Sequence, residues 1–280
     1  MHLYTIDTGF FKLDGGAMFG VVPKSIWQKL NPADENNMCN WAMRCLLIED
    51  GNRLILIDNG IGNKQSDKFF GFYYLNGDVT LDLSLAQLGF HRDDITDVVL
   101  SHLHFDHCGG SVIWNSDRTK YQTAFINAKY WSNKEHWQHA LDSNPREKAS
   151  FLTENIMPIQ ESGQLFFVEN GNEVADFMTL PKVYGHTEAM MLPHINYKGQ
   201  TIVFCADLIP SLGHLPVNYV MAYDIKPLES MRDRQSFLEQ AIKNDFILFF
   251  EHDPINECCT ITKNERGQFV PERVFKLADL

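Results

Sequence analysis

Basic residues, long apolar runs and paired cysteines are all scarce in this chain, and each scarcity closes off a class of function. Lys and Arg number 24 against 36 Asp and Glu, a formal charge of −12. That balance argues against nucleic acid as a partner, because phosphate binding needs clustered cations. No stretch approaches the roughly 20 apolar residues that cross a bilayer, so no membrane partner is expected. Met1 to Asp7 alternates like a strand rather than presenting a basic region before an apolar run, so no signal peptide is expected either. The six cysteines show no Cys-x-x-Cys pair and no regular spacing, and they read as free thiols of a reducing cytoplasm. Internal repeats, low-complexity segments and linkers rich in Pro, Gly or Ser are also missing, which makes residues 1–280 a single domain in the economical reading.

What is present is a core-forming chain, 44% hydrophobic, in which short apolar runs alternate with turn residues. Arg44 to Glu49 and Arg53 to Asp58 flank Asp50-Gly51-Asn52 as a hairpin, and Met191 to Tyr197 and Thr201 to Cys205 flank Lys198-Gly199 in the same way. Asp97 to Ser101, Gln164 to Val168, Phe177 to Val183 and Phe246 to Phe250 are further strands. The last is apolar enough to be buried on both faces. Helical spacing marks Leu81 to Leu88, Ala128 to Leu141, Arg146 to Met157 and Leu228 to Lys243. Hairpins followed by mixed strands and helices predict two sheets packed together with helices outside, an α+β fold. The polar helical stretch around 134–162 reads as an insertion that covers a site or contacts another subunit, with a solvated surface excursion as the alternative.

The densest chemistry lies in His102-Leu103-His104-Phe105-Asp106-His107, three imidazoles and a carboxylate within one loop. Such donors suit divalent transition metals, zinc first. Residues two apart on an extended strand face the same way, so His102 and His104 can share one target as the strand from Asp97 ends. His107 is out of that register. A turn after Phe105, eased by Gly109-Gly110, would direct Asp106 and His107 toward a second metal. His186, Asp207 and His252 each follow a strand-like apolar segment, where sites are commonly built. Asp58 closes Leu54 to Ile57 in the same manner and is a candidate acceptor behind a ligand imidazole. His2, His91, His136, His139, His194 and His214 lack such a context and read as ordinary, although the loop of His214 is expected near the site.

The run Ser101 to Gly110, with Gly185-His186-Thr187, Ala206-Asp207 and His252-Asp253, resembles the metallo-β-lactamase-fold hydrolases in order, spacing and strand context. The resemblance covers most of the chain and implies a four-layer αββα sandwich. It further implies that His102, His104 and His186 hold one zinc, that Asp106, His107 and His252 hold the other, and that Asp207 bridges them. Manganese, iron and cobalt accept the same ligands. Related diiron oxygen reductases carry Glu at the position of His104, so His here favours hydrolysis over redox iron. Within the superfamily the chain looks most like the quorum-quenching N-acyl-homoserine lactone lactonases and their organophosphate-hydrolase relatives, through Asp14 to Lys24 with Trp27 and through Ser101 to His107. Met18, Phe19 and Trp27 are thereby candidates to hold an acyl chain, with a core role as the alternative.

Two positions depart from that pattern. Pro210 stands where the lactonases carry a Tyr that reaches the lactone carbonyl, which makes Tyr219 and Tyr223 the candidate substitutes. Glu188-Ala189 replaces the usual Pro-Gly after Gly-His-Thr. The resemblance implies a lactone or ester opened by a metal-bridging hydroxide, with Asp106 carrying the proton to the leaving oxygen. Phosphotriester or other ester hydrolysis is the alternative on the same metals. Nucleic-acid processing and a non-catalytic metal-binding module stand further off. The apolar N-terminal loop and the 134–162 stretch make a homodimer an expectation.

Overall fold

A computed structural model describes residues 1–280. The chain divides into two compact units, and neither is continuous in sequence: the first is built from 1–9 and 43–176, the second from 10–42 and 177–280. No linker marks the division, because each unit is assembled from separate stretches of chain.

The sheet of the first unit runs in the order His2–Asp14, Met38–Asp50, Arg53–Ile57, Asp97–Val99, Lys129–Ser132, Leu165–Phe167. The hairpin expected around Gly51-Asn52 is present, with Asp50 opposite Arg53 and Gly51 at φ 59°. Its second strand begins a parallel series through Asp97–Val99, Lys129–Ser132 and Leu165–Phe167. Strands of a parallel sheet are buried on both faces, and all three residues of Asp97–Val99 are buried. The carboxyl end of that strand delivers Ser101 and His102. Helix Leu81–Gln87 starts at Thr80, whose side chain accepts from the Leu83 N–H, and it buries Leu81 and Leu85 one turn apart. Each such side chain stabilises the unit by about 1.5–3 kcal/mol.

Two helix expectations are corrected here. Ala128 to Leu141 is a strand, Lys129–Ser132, followed by a helix, Lys134–Leu141. Tyr130 and Trp131 belong to the parallel ladder beside Asp97–Val99. Asn133 accepts from the His136 N–H and starts the helix. The helix expected from Arg146 runs instead over Thr153–Glu161. Asn144 diverts the preceding residues into a turn by accepting from the N–H groups of Arg146 and Glu147. The stretch 134–162 contributes Trp137, Ala140, Phe151, Ile156 and Ile159 to the core of this unit.

The sheet of the second unit runs Phe269–Phe275, Cys258–Lys263, Ile247–Phe249, Gln200–Phe204, His194–Tyr197, Met178–Thr179, and only the central pair is parallel. Ile247–Phe249 is wholly buried. The hairpin at Lys198-Gly199 puts both residues at positive φ, 50° and 81°, the geometry of a type I′ turn. The single strand expected over Phe177 to Val183 is two pieces, Met178–Thr179 and Lys182–Val183. Pro181 has no N–H to continue the ladder. Helix Pro227–Lys243 begins with proline in its first turn and buries Arg234, Phe237, Leu238 and Ala241 along one stripe. All six cysteines are free and buried, and no helix is long and apolar enough to cross a membrane.

Candidate metal centre

In the first unit the ligand-rich loop is held from beneath by Asp58. This residue lies just past Arg53–Ile57 at φ 54°, a left-handed conformation that Asp tolerates better than most side chains. Its carboxylate accepts from the Ser101 N–H at 2.7 Å and the Ser101 hydroxyl at 2.5 Å, and it lies 3.1 Å from His107 Nδ1. With Nδ1–H turned to Asp58, His107 keeps its lone pair on Nε2. The same logic fixes His102. The Ser101 hydroxyl donates to Asp58 and therefore accepts from His102 Nδ1 at 3.0 Å, leaving the lone pair on His102 Nε2. That nitrogen faces His104 Nδ1 at 3.1 Å.

Helix Phe105–Cys108 then carries Asp106 and His107, both buried, with His107 Nε2 3.8 Å from Asp106 Oδ2. The glycines after it serve close approach: a Cβ on Gly109 would sit 2.2 Å from the Ile61 carbonyl oxygen, and one on Gly110 2.2 Å from that of Asn59. From below, the Asn59 N–H donates to the His107 carbonyl, while the Leu103 N–H donates to His136 Nε2. His136, read from sequence as ordinary, is thus a fully buried support of the loop.

Lys64 is another buried support, its ammonium donating to the Gly109 carbonyl at 2.6 Å. Burial pushes its pKa from 10.5 down to about 8, against the opposing pull of Cys108 and Glu154. Between those values the unfolded chain holds the proton more tightly than the folded one. Stability therefore rises with pH through that window, by about 3 kcal/mol in full. Chemical denaturation at pH 7.5 and pH 10 should show this rise in the wild type beyond that of Lys64→Met. Parallel pH dependence in the two proteins would refute it.

In the second unit Asp207 sits in the short turn Ala206–Leu208 that ends strand Gln200–Phe204. One carboxylate oxygen lies 3.0 Å from His186 Nε2, the other 3.1 Å from His252 Nε2. His252 Nδ1 is 2.8 Å from the Ala42 carbonyl, an acceptor only, so Nδ1 carries the hydrogen and Nε2 is the atom presented to Asp207. His186 Nδ1 is 2.8 Å from Asp224 Oδ1. Burial disfavours a charged His186, but the carboxylates of Asp207 and Asp224 outweigh it and lift its pKa to about 10. Gly185, just before it, lies so close to helix Pro227–Lys243 that a Cβ would fall 2.2 Å from the Ser230 nitrogen.

This donor set fits divalent metal ions on one observation above all. His252 Nε2, assigned its lone pair by the other ring nitrogen, points at an Asp207 carboxylate oxygen 3.1 Å away. Two acceptors at about 3 Å need a proton or a cation to reconcile them.

The remaining candidates lie elsewhere in the second unit. Met18, Phe19 and Trp27 are at most 1% exposed. Phe19 stacks on Trp27 at 5.5 Å and on His214 at 4.4 Å. In this structure all three therefore pack as core, the alternative to the acyl-binding expectation, and Phe19 is covered by rings on both sides. His214 is locked between Ser211 Oγ and the Met18 carbonyl, and burial holds it neutral, its pKa down to about 3. The Tyr219 carbonyl accepts from the buried Arg234, which also donates to the Leu208 carbonyl and so ties together the loop after Asp207. Tyr223 is exposed beside the buried Asp224, and the Pro210 carbonyl accepts from the His252 N–H. Asp224 and Glu147 were missed from sequence, since each is a lone carboxylate in a loop.

Imidazoles held by carboxylates and carbonyls at strand ends, on two mixed α/β sheets, define a metal-binding α+β protein. The chain belongs to the metallo-beta-lactamase superfamily, whose family model matches residues 44–252. It has that superfamily's fold. An N-acyl homoserine lactonase, AiiA of Bacillus thuringiensis subsp. kurstaki, is 27% identical over 143 residues, 46% of this chain and 53% of that protein. The match thus spans about half the length of such curated relatives. Among solved structures, a probable metal-dependent hydrolase from Staphylococcus aureus is 26% identical with a TM-score of 0.88, covering 98% of this chain and 96% of that one. The dizinc quorum-quenching lactonase AidC, solved with the product N-hexanoyl-L-homoserine, is 22% identical with a TM-score of 0.77, covering 98% and 95%.

Proposed function

We propose that this protein is a metal-dependent hydrolase that opens a lactone or cleaves an ester, with N-acyl homoserine lactones as the first substrates to test. The observation that carries the reading is the Asp207 carboxylate, which presents one oxygen to each of two buried imidazoles. The ligands would be His102, His104 and His186 for one ion and Asp106, His107 and His252 for the other, with Asp207 shared. Zinc is the metal the donors favour, and the dizinc lactonase among the structural neighbours supports that choice. When bound, such ions supply Lewis acidity and a water of lowered pKa. Asp58, Asp224, Ser101 and the Ala42 carbonyl hold the imidazole tautomers that leave ligand nitrogens basic. Asp106 would carry a proton to the leaving oxygen through its carboxylate, and Tyr219 and Tyr223 are the candidate hydroxyls for the substrate carbonyl.

Pro210, in place of the lactonase tyrosine, favours a second reading: hydrolysis of another ester or of a phosphotriester with the same ligands. Zinc-loaded protein assayed on short- and long-chain acyl-homoserine lactones beside aryl esters and paraoxon-type triesters separates the two. Lactones should be turned over at least tenfold more efficiently than the others. A preference for triesters would select the second reading, and hydrolysis of none would remove both. The buried free thiols support a cytoplasmic location. Val21, Ile26 and Leu30, exposed near the N-terminus, support a homodimer.

A further inference from the structure

The connection between helices Lys134–Leu141 and Thr153–Glu161 contains a carboxylate that the ligand set does not use. Glu147 is 3% exposed. One of its oxygens, Oε1, lies 3.7 Å from His104 Nε2, while Oε2 accepts from the Asn144 amide at 2.6 Å and lies 2.8 Å from His139 Nε2. Asn144 also shapes the turn that presents Glu147, accepting from its N–H. Phe151 closes the cluster, its ring 4.8 Å from that of His104 and 5.8 Å from those of His136 and His139. Burying a carboxylate costs several kcal/mol unless its oxygens are engaged. Here they are directed at imidazoles, one of which is a proposed metal ligand.

We propose that Glu147 is a positioning residue for His104: its buried carboxylate, at ion-pair distance, favours the hydrogen of that imidazole on Nε2 and so the lone pair on Nδ1, the nitrogen facing His102. His102 and His107 are oriented at hydrogen-bond distance by Ser101, the adjacent residue, and by Asp58, 49 residues earlier in the chain. For His104 the orienting group comes from 43 residues further along the chain, with His139 and Asn144 fixing the far side of the carboxylate. The stretch 134–162 thus supplies a brace for the ligand loop. Partners of this kind set ligand basicity, and their loss weakens metal binding about 10- to 100-fold.

The inference rests on the metal-centre reading, so its test uses one readout that needs no metal. In metal-free protein, the ring-nitrogen shifts of His104, assigned with His104→Gln, should report a hydrogen on Nε2 in a larger fraction of wild-type molecules than of Glu147→Ala, where the Nδ1–H tautomer that donates to His102 Nε2 should dominate. Glu147→Gln, which keeps an oxygen that can accept, should fall between. Zinc affinity measured by chelator competition should follow the same order, about tenfold or more weaker for Glu147→Ala. Circular dichroism confirms that each variant folds, and the glutamine variant carries the test if the alanine variant does not. An unchanged His104 tautomer in the folded variants would overturn the proposal, as would wild-type zinc affinity in both. If the wild type itself takes up no zinc, the hydrolase reading fails while the tautomer measurement still decides the role of Glu147.

Discussion

Asp207→Asn should lower hydrolysis about a thousandfold or more while leaving the fold intact. The two carboxylate oxygens face His186 Nε2 and His252 Nε2 at 3.0 and 3.1 Å. An amide keeps the shape but offers one neutral oxygen, and its nitrogen donates to an imidazole where a metal should be held. A shared anion stabilising two cations contributes several kcal/mol, and each 1.36 kcal/mol is a factor of ten in rate. Elemental analysis should show the variant with less metal than the wild type, and steady-state kinetics the loss in kcat. Full activity with full metal content would eliminate Asp207 as a ligand.

Asp58→Ala should destabilise the protein by about 3–5 kcal/mol, and Asp58→Asn by markedly less. Alanine leaves the Ser101 N–H, the Ser101 hydroxyl and His107 Nδ1–H without an acceptor in a fully buried place. The penalty for stranding such groups is of that order. Backbone strain adds to it, because position 58 sits at φ 54°, which asparagine adopts with less cost than alanine. Urea denaturation of the three proteins provides the check, and equal stability for alanine and asparagine would contradict the argument. Both variants should also weaken metal binding, because His107 loses the contact that fixes its tautomer.

The proposed ligand positions stand out in the sequence because their signals are local. Three imidazoles and a carboxylate in six residues at a strand end have few other uses, and His186, Asp207 and His252 each terminate an apolar run that the structure shows as a strand or its immediate continuation. Asp58 was readable by the same rule. Asp224 and Glu147 were not, because a single carboxylate in a loop has no periodicity and becomes meaningful only once the chain brings it to an imidazole. Trp131 was misread as helical since aromatic spacing alone does not separate a buried strand from a helix, and Asn133, the cap that ends the ambiguity, was overlooked. Met18, Phe19 and Trp27 show the converse failure. Apolar side chains near a metal motif suit a substrate pocket and a core equally well, and the stacking of Phe19 between Trp27 and His214 decides for the core.

Titration of zinc into metal-free protein, followed by calorimetry, tests the central claim most directly. Two equivalents should bind per chain, with binding reduced in Asp207→Asn and in His104→Ala. No binding by the wild type, or two equivalents retained at wild-type affinity by both variants, would contradict the dinuclear centre on which the account rests.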